Sequence, residues 1–481
     1  MTAPARSSES LHHTNLGRRV AVLGAGVSGL AAALRLADAG ACPTVFEARS
    51  APGGVIRTLR RSGYQVDVGA NSMQGKPPLV ASLVDRLGLG HALVVPGASA
   101  QHRYIVRDGA AMAAPMKPPR LATTKLLSRR AKARLLAEPL VRRGTDRDES
   151  IAAFVRRRLG REVLDYAVDP FIGGIYAGDP ARLSLRHAFP RLHQLEHTHG
   201  SLLRGMAAVH RTPSTRDTVP SSSDQVRAQA LPRSFSFREG MQMLPEALAS
   251  ALPKGTVCYD HTVTGLARDG AGWAVSFHEA NARPRDDVQT EHFDAVVCTM
   301  PLHRLGDLAW PASLDVTPLA AVTYAPVTLI ALGFRRDDVT HPLDGFGMLV
   351  PSREPFDLLG ALFSSSLFPN RAPEGHVLLT CFVGGMRRPA LAAAPTDALL
   401  PRLQRDLGAL LGVRGAPVFV ERFTWTQAIP QYHLGYDGVL DALTDLEARH
   451  PGLRFAGNFR HGVSVGDALA SGWQAAEALP V

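Results

Sequence analysis

Apolar and polar positions along this chain switch between two periods, and the first switch comes early. Val20–Leu23 is an apolar run closed by glycines; LAAALRLADAG then carries small and apolar residues at helical spacing to Gly40, and PTVFE returns to a strand. The pattern predicts a β-α-β unit ending at Glu47. Near the far end, LRFAGNFRHGVSVGDALASGWQAAEAL predicts a strand ending at Gly457, a glycine loop from Gly462 to Gly466 and a helix from about Asp467. Between them, LLGALFSSSLFPNRAPEGHVLLTCFVGG alternates as strand, turn and strand, which would put Leu359, Ala361 and Phe363 on one face. Residues 117–143 set leucines at helical spacing among nine Lys or Arg and one Glu. This predicts a basic amphipathic helical region, suited either to anionic lipid headgroups or to a plain solvated face. Residues 211–233, rich in Ser, Pro and charge, read as a mobile surface loop.

At 481 residues, 45% hydrophobic and 20% charged, the chain has the composition of a folded protein of two or three domains. Its net charge of +10 favours an acidic partner without choosing among nucleic acid, anionic lipid and a small polycarboxylate. Four scattered cysteines suggest neither a disulfide framework nor a zinc site. His193 and His197 stand one helical turn apart, but no acid or cysteine at matching spacing completes a metal set. The N-terminal residues lack an apolar signal region, and no window reaches the roughly 18 apolar residues of a spanning helix. The expectation is a cytoplasmic protein, with peripheral attachment to the inner face of the cytoplasmic membrane left open.

The candidate chemistry starts in the first unit. Gly24 permits the tight turn, Gly26 lets a pyrophosphate approach backbone at a helix N-terminus, and Gly29 allows close packing of helix on strand. Glu47 falls where an acid accepts hydrogen bonds from a ribose hydroxyl pair. Beyond it, Gly53 and Gly54 open a second backbone approach and Arg57 is placed to meet phosphate or a flavin edge, features for which an NAD site has no need.

The segments GAGVSGL, FEAR, GG and YQVDVGANSM together resemble the flavin amine oxidase and protoporphyrinogen oxidase superfamily. FIGGIYAGDPARLSLRHAFPRL is similar to the protoporphyrinogen oxidase branch in particular. The resemblance covers nearly all of the chain after the first seventeen residues. It implies an α/β fold: a Rossmann-like FAD-binding domain of the p-hydroxybenzoate hydroxylase type, a mixed-sheet substrate domain and a helical, membrane-associating domain. The implied boundaries are 17–90, 236–301 and 445–481 for the FAD domain, 91–111 and 302–444 for the substrate domain, and 112–207 for the helical one. Residues 1–16 would be a disordered tail and 208–235 a flexible loop.

By the same resemblance FAD is wrapped by Gly24, Gly26, Ser28, Gly29, Glu47, Gly53, Gly54 and Arg57, with Gly69, Ala70 and Asn71 under the ring. Val263 would meet the adenine end through its backbone, and Gly462, Val463 and Ser464 would bring a helix N-terminus to the flavin. Arg103 matches the arginine that pairs with a substrate propionate, the carbonyl of Gly174 faces the tetrapyrrole, and Leu349 and Phe363 line its slot. The implied reaction is oxidation of protoporphyrinogen IX to protoporphyrin IX by O2, in three two-electron steps that yield H2O2. No side chain stands out as a general base, and neither a metal nor nucleic acid is implied. A homodimer is implied as a family habit. Oxidation of coproporphyrinogen III on the same fold is the first alternative; an amine oxidase or carotenoid desaturase, and a porphyrin-handling flavoprotein without catalysis, are the more distant ones.

Overall fold

The computed structural model describes residues 17–75, 78–98, 100, 102–115, 118–211, 231–280 and 288–480. The tail expected over residues 1–16 and most of the loop expected over 211–233 lie outside the described residues.

Strand Arg19–Leu23 is buried on both faces, as its unbroken apolar run requires, and stands at the centre of a five-stranded parallel sheet. Its neighbours are Cys42–Phe46 and then Val257–Cys258 on one side, and Ala295–Cys298 and then Leu453–Phe455 on the other. The sheet thus gathers strands from three separate stretches of chain. Helix Val27–Asp38 packs its small residues, Ala31, Ala32 and Ala33 among them, so tightly that all three are fully buried. Helix Val465–Glu477 lies against it; a Cβ at Gly472 would fall 1.9 Å from the Ser28 carbonyl oxygen. An antiparallel three-stranded sheet, residues His261–Asp269, Gly272–Glu279 and Gln289–Phe293, covers the far end of Phe46 through Phe277, ring centroids 4.8 Å apart.

The second large unit is a seven-stranded mixed sheet in the order Phe419–Pro430, Tyr324–Arg335, His376–Gly384, Leu358–Phe363, Gly345–Leu349, His102–Arg107, Ala110–Ala113. Gly345–Leu349 and His102–Arg107 run parallel; the other neighbours are antiparallel. Helix Thr396–Leu411 closes one face, burying Leu399, Leu403 and Leu407 against Ile330, Met348 and Leu379. The opposite face is partly covered by Tyr64, Val66 and Val68, which pack on Leu329, Ala331 and Leu378.

Residues 118–211 are mostly helical. The expected amphipathic region is broken there into Pro118–Thr123 and Arg129–Leu136, because the Ser128 hydroxyl accepts from the Ala131 amide and starts a new helix. Leu126 and Leu127 turn inward, whereas Leu136 and Leu140 are 78% and 83% exposed. The one Glu of that basic stretch, Glu138, is fully buried: it pairs with Arg158 at 2.5 Å and accepts from Ser201 Oγ and the Leu202 and Leu203 amides, capping helix Leu202–Arg211. Among the described residues no helix is long and apolar enough to cross a membrane.

Candidate active site

The first-strand loop and the helix after it form an anion cradle. The helix N-terminus at Gly26 carries no side-chain cap and no acid in its first turn, so its leading amides point at open space. A Cβ at Gly26 would meet nothing within 4 Å, whereas one at Gly29 would lie 1.9 Å from the Gly24 carbonyl oxygen. These two glycines therefore differ in purpose: Gly29 serves packing and Gly26 keeps a ligand path clear. The Glu47 carboxylate accepts from the Ala25 amide at 2.8 Å and from the Arg49 amide at 3.1 Å, which fixes it at the strand end with lone pairs to spare. Gly53 donates to the Ala25 carbonyl at 2.8 Å and Gly54 approaches the Gly26 Cα, so the two glycine loops lie together. Arg57 is exposed and has no side-chain partner among the described residues. Val263 pairs with Phe277 two residues beyond His261, whose amide donates to the Glu47 carbonyl, so it sits at the Glu47 end of the cleft.

Two expectations change. Ser28 spends its hydroxyl on the Ala468 carbonyl at 2.8 Å, tying the two buried helices together, so only its backbone amide is free to serve a ligand. Gly462, Val463 and Ser464 do lead into a helix N-terminus, but Ser464 and Asp467 form a capping box there. Asp467 brings its own carboxylate to that helix end and offsets the positive potential that the sequence suggested.

Gly69, Ala70 and Asn71 follow the hairpin Thr58–Arg61 and Tyr64–Asp67, half-buried beside Val55, with Asn71 Nδ2 donating to the Gly69 carbonyl at 3.1 Å. Beneath them Asp67 is buried. It accepts from Thr58 Oγ1 at 2.6 Å and the Met241 amide at 2.8 Å, and it meets Arg371 at 3.3 Å. Arg371, from the turn FPNRAP, also donates to Ser236 Oγ and to the carbonyls of Phe237 and Arg238. Burial pushes the Asp67 carboxyl up and the Arg371 guanidinium down, with their mutual attraction opposing both shifts. The sequence reading missed Arg371; a lone arginine inside an apolar-flanked turn was the available signal.

The expected substrate-side slot lies on the face of the mixed sheet turned away from helix Thr396–Leu411. Arg103 leaves strand His102–Arg107 exposed, its guanidinium carbon 4.3 Å from the centre of the Phe346 ring, with no acid partner among the described residues. Farther along, Leu349 faces Gly174 of helix Asp169–Tyr176; a Cβ there would lie 2.7 Å from Leu349 Cδ2. Phe363 does not line this slot. It is fully buried on the opposite face, against Tyr104 and His341. Ala361 and Phe363 share that core face as the alternation predicts, but a β-bulge between Leu358 and Gly360 inserts Leu359 and brings Leu358 to the face instead. Leu359 is left on the slot side, packed near Ala177. The serines that follow are structural: Ser364 Oγ shares a hydrogen bond with Thr380 Oγ1 at 2.7 Å, and Ser365 Oγ accepts from the Leu378 amide.

An uncapped helix end over a clear glycine cradle, an acid at the second strand end and a separate sheet bearing an apolar slot define a flavoprotein of the two-domain oxidase type. Comparison with known proteins agrees. The profile of the family described as "Flavin containing amine oxidoreductase" matches residues 27–480, and the chain belongs to that family. Its cofactor is FAD. Among curated relatives, protoporphyrinogen oxidase 2 (chloroplastic/mitochondrial) of Arabidopsis thaliana is 39% identical over 96% of this chain and 93% of its own length. Coproporphyrinogen III oxidase of Bacillus subtilis (strain 168) is 28% identical over 95% and 96%. A solved structure from Exiguobacterium sp. 255-15, assigned as a protoporphyrinogen oxidase, superposes with a TM-score of 0.78 at 22% identity, covering 96% of this chain and 98% of that one. Wild-type putrescine oxidase bound to putrescine gives 0.65 at 18%, covering 96% and 98%. The last two speak to the fold alone.

Proposed function

We propose that this enzyme oxidises protoporphyrinogen IX to protoporphyrin IX, with O2 as the acceptor and H2O2 as the second product, three O2 being reduced for each macrocycle. The observation that carries the reading is Arg103, a guanidinium stacked on Phe346 with no acid partner among the described residues, on the sheet face that also bears Leu349 against Gly174, and Leu359. That arrangement suits a flat apolar ring with a carboxylate on its edge. The Arabidopsis relative is closer in sequence than the coproporphyrinogen III oxidase, which favours the dicarboxylate substrate.

Bound FAD would supply acceptance of a hydride, two electrons with one proton, from the ring in each step and its passage to O2, the second proton leaving the ring for solvent. The chain's own residues bind and orient. Gly26 and the leading amides of helix Val27–Asp38 would hold the pyrophosphate, Glu47 the adenosine ribose, and Arg57 with Gly53 and Gly54 the far phosphate or the ring edge. Asp169, the carboxylate beside Gly173 and Gly174, accepts from the Ser352 amide at 2.7 Å and pairs with Arg387, so it is committed to structure. Leu349 and Leu359 exclude water from the face of the macrocycle. Purified enzyme given protoporphyrinogen IX in air tests the reading: porphyrin fluorescence should rise with three H2O2 per porphyrin, and fluorescence no faster than the enzyme-free blank contradicts it.

Peripheral membrane attachment belongs to the same reading. Leu136 and Leu140 project from the helical region beside the exposed Arg129, Arg130, Arg142 and Arg143, a combination that suits an anionic bilayer surface. Cytoplasmic location and a homodimer complete it; sedimentation equilibrium reads the second.

A further inference from the structure

The arginines around the slot fall into two groups. On the side beyond Leu349, Arg387 pairs with Asp169, Arg388 with Asp357 at 3.0 Å and Arg353 with Asp165 at 2.6 Å; beneath the hairpin, Arg371 pairs with Asp67. At the other end two arginines have no acid, Arg103 and Arg233, neither of which makes a side-chain hydrogen bond or ion pair among the described residues. Local structure brings them to the same end. Arg233 lies between two anchors: Leu231 and Pro232, which press on Gly75, and Phe235, whose backbone exchanges hydrogen bonds with Met73 at 2.8 and 3.0 Å. Ser236 then pairs with Val94, which packs with Ala100 and Phe346. Phe346 is the ring under Arg103. Partial desolvation and, after it, the charge of Arg233 lower the Arg103 pKa, in keeping with that placement.

Two cations at one end of the slot, with no counter-charge among the described residues, make a receptor for two anionic groups on one edge of a ligand. We propose that Arg233 is a second carboxylate-binding side chain, which with Arg103 takes the two neighbouring propionates of the substrate and so orients the macrocycle in the slot. This rests on the porphyrinogen reading above. It also gives a specificity rule: carboxylates are received at the Arg103 end, whereas the end beyond Leu349 has already neutralised its arginines. A substrate with carboxylates on opposite edges would leave one set facing cations that are already paired.

The test is kinetic, with an ester as probe. Arg233→Gln should raise KM for protoporphyrinogen IX about tenfold, the scale of one charged hydrogen-bonding partner, while kcat moves much less and FAD content stays unchanged. Arg233→Lys should recover part of the loss. With protoporphyrinogen IX dimethyl ester, which has no carboxylate, Arg233→Gln should match the wild type. An unchanged KM for the diacid, or an equal rise for diacid and diester, overturns the assignment. Fluorescence titration with the product protoporphyrin IX separates the two readings. If turnover is absent, the function fails, yet a wild-type preference for the diacid over the diester that Arg233→Gln weakens still supports the pair. Equal binding of diacid and diester by the wild type refutes it.

Discussion

Arg371 and Asp67 meet at 3.3 Å with both side chains only 2% exposed, joining the turn of the mixed-sheet lobe to the hairpin beneath Gly69–Asn71. Three further hydrogen bonds from the same guanidinium fix the return segment Ser236–Arg238, so one residue holds three stretches of chain. Removing it strands a buried carboxylate. Arg371→Met should cost about 3–5 kcal/mol in chemical denaturation, and Asp67→Asn added to it should recover much of that loss. Simple additivity of the two losses would show that the residues act independently.

The two glycines of the first loop should separate folding from cofactor binding. Gly29→Ala forces a Cβ onto the Gly24 carbonyl and should lower the melting temperature of the apoprotein along with its FAD content. Gly26→Ala finds open space in the protein itself, so the apoprotein should melt as the wild type does while FAD binds at least roughly tenfold more weakly. Calorimetry of the apoproteins and flavin titration read the two effects; parallel behaviour of both variants would remove the distinction.

On the bulged strand the two apolar side chains should likewise part. Phe363→Ala opens a cavity in the sheet core and should cost about 3–5 kcal/mol of stability. Leu359→Ala should instead lower kcat/KM by roughly tenfold, with little change in the denaturation midpoint. The opposite assignment of effects would place Phe363, not Leu359, on the substrate.

For the helical region, the expected outcome is salt-sensitive sedimentation with phosphatidylglycerol vesicles and none with phosphatidylcholine vesicles. Leu136→Glu combined with Leu140→Glu should abolish it without loss of FAD, because both side chains are already in solvent. Absence of binding at low salt contradicts the membrane reading.

Much of the nucleotide end was legible because local chemistry there dictates local structure. Apolar run, glycines, small-residue helix and terminal acid each constrain only their neighbours, and Gly24 to Glu47 stand as their types require. The slot was less legible. A single inserted residue at Leu359 took that side chain off the face of Ala361 and Phe363, and period-two reading has no access to a bulge that only the partner strand His376–Gly384 defines. The use of the Ser28 hydroxyl was hidden for a similar reason, since its acceptor lies 440 positions away. Arg233 and Arg371 went unnoticed because their meaning depends on which acids fail, or come, to meet them across the fold. The basic stretch is helical as expected but in short pieces, and its division at Ser128 depends on a cap that the leucine spacing does not register.

The central claim is that the flavin of this protein takes electrons from protoporphyrinogen IX. Anaerobic mixing of the enzyme with that substrate, and separately with coproporphyrinogen III, reads it directly in the visible flavin band. The account predicts rapid bleaching with protoporphyrinogen IX, slower or weaker bleaching with coproporphyrinogen III, and return of colour with porphyrin fluorescence when O2 is admitted. A flavin that stays oxidised with both would contradict it.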